Sequence, residues 1–169
     1  ADLQSPRGGC YNRRDEIHSL ARLHARPTMT HPFDDGCRRR GVVAVVVHQG
    51  RFLVIRRAAT VVAPGMICFP GGAGEGAETE EETLVREIRE ELGAAIEPIR
   101  PVWRSVTPWQ VELSWWLSRI AEGERLRPNP AEVASVHWQT AEELRRLPNL
   151  LESNHHFLDA LDAGEIQLE

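Results

Sequence analysis

The chain has 169 residues, of which 41% are hydrophobic and 27% charged, so it is long enough for one domain with a buried core. Its net charge of −5 disfavours nucleic acid and acidic membrane surfaces as partners, and no apolar run approaches the length of a transmembrane helix. Three cysteines without a CxxC pair indicate neither a zinc site nor a disulfide framework, so we expect a cytoplasmic location.

The first 40 residues differ in composition from the rest and are predicted to form an N-terminal extension. They contain eight Arg, several Gly and Pro, and few large apolar residues. Within them, the spacing of apolar residues from Asp15 to Ala25 is compatible with a short amphipathic helix. Residues 41–169 are predicted to form the folded domain.

Strands and turns open this domain. The β-branched run Val42 to Val47 predicts a buried strand, and Arg51 to Arg56 predicts a second strand that pairs with it as a hairpin. Turns at Pro64-Gly65 and Pro70-Gly71-Gly72 enclose a short strand, Met66 to Phe69.

Helices and further strands alternate over the rest of the chain. Three more strands are predicted at Ile99–Val106, Gln110–Ala121 and Ala134–Trp138, and three helices at Thr79–Leu92, Thr140–Leu147 and Leu151–Leu161. Helices on both sides of a mixed β-sheet predict an α/β fold of the α/β/α sandwich type.

The first helix is predicted to carry two stripes. Thr79 and Glu82 have the spacing of a capping box, and Gly93 stands where helices commonly end. At about 100° per residue, two sets of side chains each share one side of the helix. The acidic set is Glu87, Glu90 and Glu91, and the apolar set is Leu84, Val85, Ile88 and Leu92. Because clustered carboxylates repel one another, the acidic stripe predicts a site for divalent cations.

The residues before and within the helix support such a site. Glycines at Gly71 and Gly72 allow the backbone to approach a ligand closely. Glu78 precedes the helix and could reach the same cations. Arg86 adjoins Glu87 and could orient the carboxylates by charge-assisted hydrogen bonds.

The spacing of these residues resembles the Nudix box, the signature of the Nudix (MutT-like) hydrolases. The pattern is Gly72-x5-Glu78-x7-Arg86-Glu87-Ile88-x-Glu90-Glu91-x-Gly93-Ala94. All seven fixed identities are present, whereas Ala94 and Gly74 replace the aliphatic residues that are common in the family. The resemblance implies a Nudix-type fold and metal-dependent cleavage of a pyrophosphate.

The resemblance also implies roles for individual residues. Mg²⁺, or alternatively Mn²⁺, would be held by three glutamates and a backbone carbonyl, and one of several acids would take a proton from the attacking water. The implied metal ligands are Gly71, Glu87, Glu90 and Glu91. The implied catalytic residues are Arg86, Glu87 and Glu132, and either Glu87, Glu91 or Glu132 could be the base.

Substrate contacts are less well defined by the sequence. Every one of the 20 cationic side chains is Arg, so phosphate contacts from a cationic side chain must come from Arg. We expect Arg56 and Arg57 to contact phosphate, with Gly72 and Glu78 also close to the substrate. The expected substrate is a nucleoside diphosphate linked to another group.

Two alternatives remain at this point. Some Nudix domains sense nucleotides without cleaving them. An enzyme resembling isoprenoid diphosphate isomerases would need a reactive cysteine in the pocket, and Cys68 lies just before the glycine turn. The sequence also leaves a homodimer open.

Overall fold

The computed structural model describes residues 39–169, in which seven strands form one mixed sheet flanked by three helices. The helix predicted at Asp15–Ala25 and nearly all of the predicted extension lie outside the described residues. In chain order the elements are β1 (Arg40–His48), β2 (Arg51–Arg57), β3 (Ile67–Cys68), β4 (Gly71–Ala73), α1 (Glu80–Leu92), β5 (Ile96–Val106), β6 (Glu112–Ile120), β7 (Val133–Gln139), α2 (Ala141–Arg145) and α3 (Glu152–Asp162).

The central strand β1 has three partners. The strand order is β3-β2-β1-β6-β5, with β7 added beside β2, and β1 runs parallel to β6 but antiparallel to β2 and β4. Its first residues, Gly41 to Val43, pair with β4, whereas Val47 and His48 pair with β2. The short β4 segment is therefore fixed against a strand that is buried from Gly41 to Val46.

Apolar side chains fill the space on both faces of the sheet. On one face, α1 covers a cluster that includes Leu53, Ile88 and Trp116. On the other, α2 and α3 cover a cluster in which Trp115 and Phe157 stack with ring centroids 4.7 Å apart. Two apolar layers around one mixed sheet confirm the predicted α/β/α sandwich. Within residues 39–169, no helix is long and apolar enough to cross a membrane.

Helix α1 begins and ends as its sequence predicts. The Thr79 hydroxyl accepts the N–H of Glu82 at 3.2 Å, and the Glu82 carboxylate accepts the N–H of Thr79 at 2.9 Å. Gly93 closes the helix with φ of 60°, and its N–H donates to the carbonyl of Arg89. Side-chain and left-handed caps of this kind satisfy backbone groups that a helix leaves without partners.

The prediction that Val85 is part of the buried stripe of α1 is wrong. Val85 is 36% exposed, whereas Thr83 is 2% exposed. The buried side of the helix includes Thr83, next to the acidic stripe, because β4 packs on that side. Gly74, which directly follows β4, lies beside the Thr83 hydroxyl.

Two segments form strands where the sequence predicts otherwise. Gly71 to Ala73 is strand β4, although the sequence predicts only a turn there. Strand β5 begins at Ile96 and continues through Pro98 and Pro101, with register shifts at both prolines. Proline is tolerated because β5 is the last strand in the order, and an edge strand needs hydrogen bonds on one side only.

Replacing Thr79 with Ala should lower the free energy of unfolding by about 1 kcal/mol, because the substitution removes the side-chain half of the α1 capping box. Urea denaturation followed by circular dichroism would measure the change. Thr79→Ser keeps the hydroxyl and should retain most of the stability. Equal stability of the Ala variant and the unmodified protein would contradict this role of Thr79.

Candidate active site

Two glycines of β4 bring the backbone against two carboxylates of α1. The N–H of Gly71 donates to Oε2 of Glu91 at 2.9 Å. A Cβ atom on Gly72 would overlap the carboxylate of Glu87, and one on Gly71 would overlap the carbonyl of Val42. Gly71 also has φ of 144°, which side-chain-bearing residues rarely adopt. Both positions therefore require glycine, and the predicted role of the Gly71 carbonyl as a metal ligand stays a prediction.

Arg86 lies at the centre of the acidic stripe, and its five N–H groups match five hydrogen bonds. Nε and Nη2 donate to Glu78 at 2.8 and 3.0 Å, and Nη2 also donates to the carbonyl of Ala73 at 2.9 Å. Nη1 donates to Glu87 at 2.9 Å and to Glu90 at 3.2 Å. The guanidinium thus ties β4, the loop after it and α1 together and fixes the direction of three carboxylates.

Glu78 lies where it supports Arg86. Besides the guanidinium, its carboxylate accepts the N–H of Glu75 at 2.9 Å and the hydroxyl of Thr83 at 3.1 Å. The hydrogen bonds from Arg86 are the main reason that the pKa of Glu78 falls to about 2. Its contact with substrate, expected from the sequence, stays a prediction.

Glu91 is a buried carboxylate with little compensation for its charge. Its residue is 6% exposed, and burial raises its pKa to about 8 despite the N–H of Gly71. The negative charges of Glu87 and Glu132 raise it further, and Arg57 lowers it. Within the described part of the chain, no cationic group forms an ion pair with Glu91 at salt-bridge distance.

The neighbouring acids of the stripe differ from Glu91 in burial and in partners. Burial also raises the pKa of Glu87, while the Arg86 hydrogen bond opposes this shift. Glu90 is more exposed and pairs with Arg86 at 3.2 Å. Among the three acids of the stripe, Glu91 is therefore the most buried and the one whose negative charge is least balanced.

The donor set fits a hard divalent cation. Glu132 adds negative charge near Glu87 and Glu91 and raises the pKa of both groups. Residues 39–169 hold no ready-made cage of three or more His, Cys, Asp or Glu side chains. Mg²⁺ is usually held by one or two carboxylates together with water and substrate phosphate, so an incomplete cage suits it.

Glu132 follows a loop after β6 that docks on the end of α1, a contact that the sequence does not predict. The N–H of Arg127 donates to the carbonyl of Leu92 at 2.6 Å. The same loop passes over Gly93, where a Cβ atom would lie 2.8 Å from the Arg127 carbonyl oxygen. Gly93 thus serves both the helix end and the approach of the loop.

Arg56 and Arg57 point to opposite faces of the sheet, as alternation along β2 requires. Arg57 lies on the α1 face, where Nε donates to the carbonyl of Val62 at 2.6 Å and Nη1 donates to Sγ of Cys68 at 3.9 Å. Arg56 is exposed, and its partner in the sheet register is Ser135. The structure therefore brings Arg57, but not Arg56, onto the face that carries the acids.

A family model for the NUDIX domain matches residues 38–161. This match covers more than half of the chain, and the acidic helix, its glycine strand and Arg86 all lie inside it. The chain therefore belongs to the Nudix hydrolase family and is an enzyme of that family.

This chain aligns with only part of the length of each curated relative. It is 32% identical over 116 residues to "NAD-capped RNA hydrolase NudC" from Chromobacterium violaceum, covering 68% of this chain and 43% of that protein. It is 31% identical to a protein of the same name from Deinococcus radiodurans, covering 57% and 35%. The chain thus spans less than half the length of these relatives.

Solved structures show the same fold. The MutT protein from Methanosarcina mazei superposes with a TM-score of 0.64 at 19% identity, covering 76% of this chain and 96% of that one. A UDP-X diphosphatase superposes with a TM-score of 0.59 at 19% identity, covering 88% and 69%. At this level of identity the likeness concerns the fold alone.

Replacing Gly72 with Ala should lower kcat by about 100-fold, because the new methyl group displaces the Glu87 carboxylate by about 1 Å. Steady-state kinetics with a hydrolysed substrate would measure the change. Gly74→Ala is the matched control: its Cβ would lie 3.3 Å from the Thr83 hydroxyl, a contact that small shifts can relieve. A Gly72→Ala variant as active as the control would contradict the contact.

Replacing Glu91 with Gln should stabilise the metal-free protein at pH 8 but not at pH 4. The unfolded chain loses the Glu91 proton near its ordinary pKa of 4.5, whereas the folded chain keeps it up to about 8. Ionisation therefore opposes folding increasingly as pH rises through this range. We expect a gain of about 4 kcal/mol at pH 8, since each pH unit between the two pKa values contributes about 1.4 kcal/mol, measured by thermal unfolding in EDTA. A Gln variant less stable than the unmodified protein at pH 8 would contradict the origin of this shift.

Proposed function

We propose that this chain is a Mg²⁺-dependent hydrolase that cleaves the pyrophosphate of a nucleoside diphosphate linked to another group. One observation carries the proposal: the Glu91 carboxylate is buried against Gly71 of β4, where the negative charges of Glu87 and Glu132 raise its pKa further. A pyrophosphate bridged by divalent cations supplies the charge that such a cluster lacks. Mn²⁺ would serve the same oxygen ligands.

Each group near the cluster has a role in this proposal. When bound, the cation would neutralise charge on the phosphates and increase the acidity of an attacking water. Glu87, Glu90, Glu91 and the Gly71 carbonyl are the groups that would hold it. Arg86 would support them by fixing the directions of the Glu87 and Glu90 carboxylates through hydrogen bonds.

The proton of the water needs an acceptor, and Glu132 is our first choice. Glu91 is buried and its pKa is raised to about 8, which suits a group that gains charge balance from a cation. Glu132 is half-buried on a loop and accepts one hydrogen bond from Asn129. It is therefore accessible from solvent, and its charge acts on Glu87 and Glu91.

Arg57 is the better candidate of the two arginines for contact with phosphate. It lies on the face of the sheet that carries the acids, and one side of its guanidinium is held by Val62. Arg56 lies on the other face, so it would reach only a part of the substrate that extends around the end of β2.

The group attached to the pyrophosphate is a separate question. Three relatives are named for hydrolysis of NAD-capped RNA, and one from Escherichia coli, 40% identical over 52 residues, is named "CTP pyrophosphohydrolase". With a net charge of −5, we propose a small nucleotide substrate in a cytoplasmic setting rather than a nucleic acid. A capped oligonucleotide nevertheless belongs among the substrates to be tested.

Two other functions are less well supported. An isomerase would require a reactive cysteine, but Cys68 is 4% exposed and burial raises the pKa of its thiol to about 11. A nucleotide sensor would not need the buried acids to be oriented by Arg86 and by the N–H of Gly71. The buried thiol and the oriented acids therefore favour a hydrolase over an isomerase or a sensor.

Incubation with Mg²⁺ should release a nucleoside monophosphate from at least one diphosphate in a panel. The panel contains ADP-ribose, NAD, a UDP-sugar, CTP, a dinucleoside polyphosphate and an NAD-capped oligoribonucleotide, and chromatography identifies the products. EDTA should abolish the release. Nucleotide binding without turnover across the panel would instead support a sensor.

Glu90→Gln and Glu91→Gln should each lower kcat by about 100-fold, equivalent to a few kcal/mol of transition-state stabilisation. Glu81→Gln is the control, since Glu81 is an exposed residue of the same helix outside the acidic stripe. If both stripe variants keep the activity of the control, their assignment as metal ligands is wrong.

A further inference from the structure

The loop after β6 completes the end of α1 and turns at Asn129. The N–H of Asn129 donates to the carbonyl of Glu91 at 2.8 Å. Carbonyls in the last turn of a helix lack partners within the helix, so this bond satisfies one of them. Asn129 is thus joined through the backbone to the residue that carries the most buried acid.

The other polar groups of Asn129 are directed at the three residues of the turn. Its carbonyl accepts the N–H of Glu132 at 3.0 Å and that of Val133 at 2.8 Å. Its Oδ1 accepts the N–H of Ala131 at 3.1 Å, and its Nδ2 donates to Oε1 of Glu132 at 3.4 Å. Asparagine suits this position because its side chain can hydrogen-bond the backbone two residues ahead.

The Glu132 backbone is also held from the opposite side. The N–H of Ala58 donates to the Glu132 carbonyl at 2.9 Å, and the hydroxyl of Thr60 donates to the carbonyl of Ala131. These bonds fix the chain but leave the Glu132 side chain able to rotate. Within residues 39–169, the side-chain amide of Asn129 is the one hydrogen-bond donor to the Glu132 carboxylate.

We propose that Asn129 is a positioning residue that directs the Glu132 carboxylate toward Glu87 and Glu91. The amide competes with solvent for one carboxylate oxygen and so restricts the rotation of the Glu132 carboxylate, while the other oxygen is left for the reaction. This inference rests on the proposed function, since Asn129 acts on the reaction through Glu132. It assigns a role to a residue that touches neither substrate nor cation.

Two substitutions separate the turn from the amide donor. Asn129→Ser keeps an oxygen that can accept the N–H of Ala131, but its hydroxyl is too short to replace the donor to Glu132. Asn129→Ala removes both. We expect Asn129→Ser to lower kcat by about 10- to 100-fold, the range for residues that orient a reacting group. Its KM should stay within about threefold, because ground-state binding does not depend on Glu132 in this scheme.

A double-mutant cycle with Glu132→Gln distinguishes positioning from a general structural effect. If Asn129 acts through Glu132, adding Asn129→Ser to Glu132→Gln causes no further loss of kcat. If the two losses multiply, or if Asn129→Ser retains full kcat, the inference is overturned. Thermal unfolding of each variant shows whether the fold is kept, and the expected midpoints for the two Ser-containing variants lie within a few degrees of their parents.

The cycle also separates this inference from the proposed function. Full activity of Glu132→Gln, together with loss of activity in Glu91→Gln, overturns the role of Asn129 and leaves the hydrolase intact. Absence of Mg²⁺-dependent hydrolysis by the unmodified chain overturns both. Loss of activity in Asn129→Ala but not in Asn129→Ser would show that the turn matters and the amide donor does not, which also overturns the inference.

Discussion

The close contact between β4 and the acidic stripe of α1 is the constraint on which the site depends. Gly71 and Gly72 carry no side chains, so their backbone can lie directly against Glu91 and Glu87. Two carboxylates are removed from water by this contact, at a cost that Arg86 and one backbone N–H offset only in part. The fold thus holds a region of unbalanced negative charge at a fixed place, which is what recruitment of a cation requires.

This region is rigid because it is built onto the core. Strand β1 pairs with β4 over its first residues and with β6 along most of its length. The apolar side chains of β1 are buried on both faces of the sheet, so β4 cannot shift without disturbing the layers above and below. The positions of the acids therefore depend on the packing of the valines of β1, against which both β4 and α1 lie.

Much of this could be predicted from the sequence, because the relevant patterns are local. The capping box of α1, its end at Gly93 and the acidic stripe follow from spacing within one helix. The misplacement of Val85 has a physical cause: angles around a helix do not reveal which side a neighbouring strand covers. Likewise, alternation separates Arg56 from Arg57, but only the tertiary structure shows which of them faces α1.

Such local patterns could not predict contacts between residues that are far apart in the sequence. Glu132 lies 41 residues after Glu91, and its approach depends on a loop that docks on a helix end. The segment Pro128-Asn129-Pro130 indicates a turn, yet nothing in it indicates what the turn meets. The sequence did not predict that Gly71 to Ala73 is a strand, because glycine is uncommon in strands. It occurs there where another backbone or side chain must come close, and such a contact is not visible in the sequence.

The prolines of β5 have a consequence for association between copies of the chain. An exposed strand edge is a template on which another chain can add its own strand, leading to continuous sheets and aggregation. Pro98 and Pro101 remove two amide donors from β5, and the register shifts beside them distort the ladder. A strand from a second copy that paired with this edge would lack these two donors, so a homodimer formed here would depend more on side-chain packing.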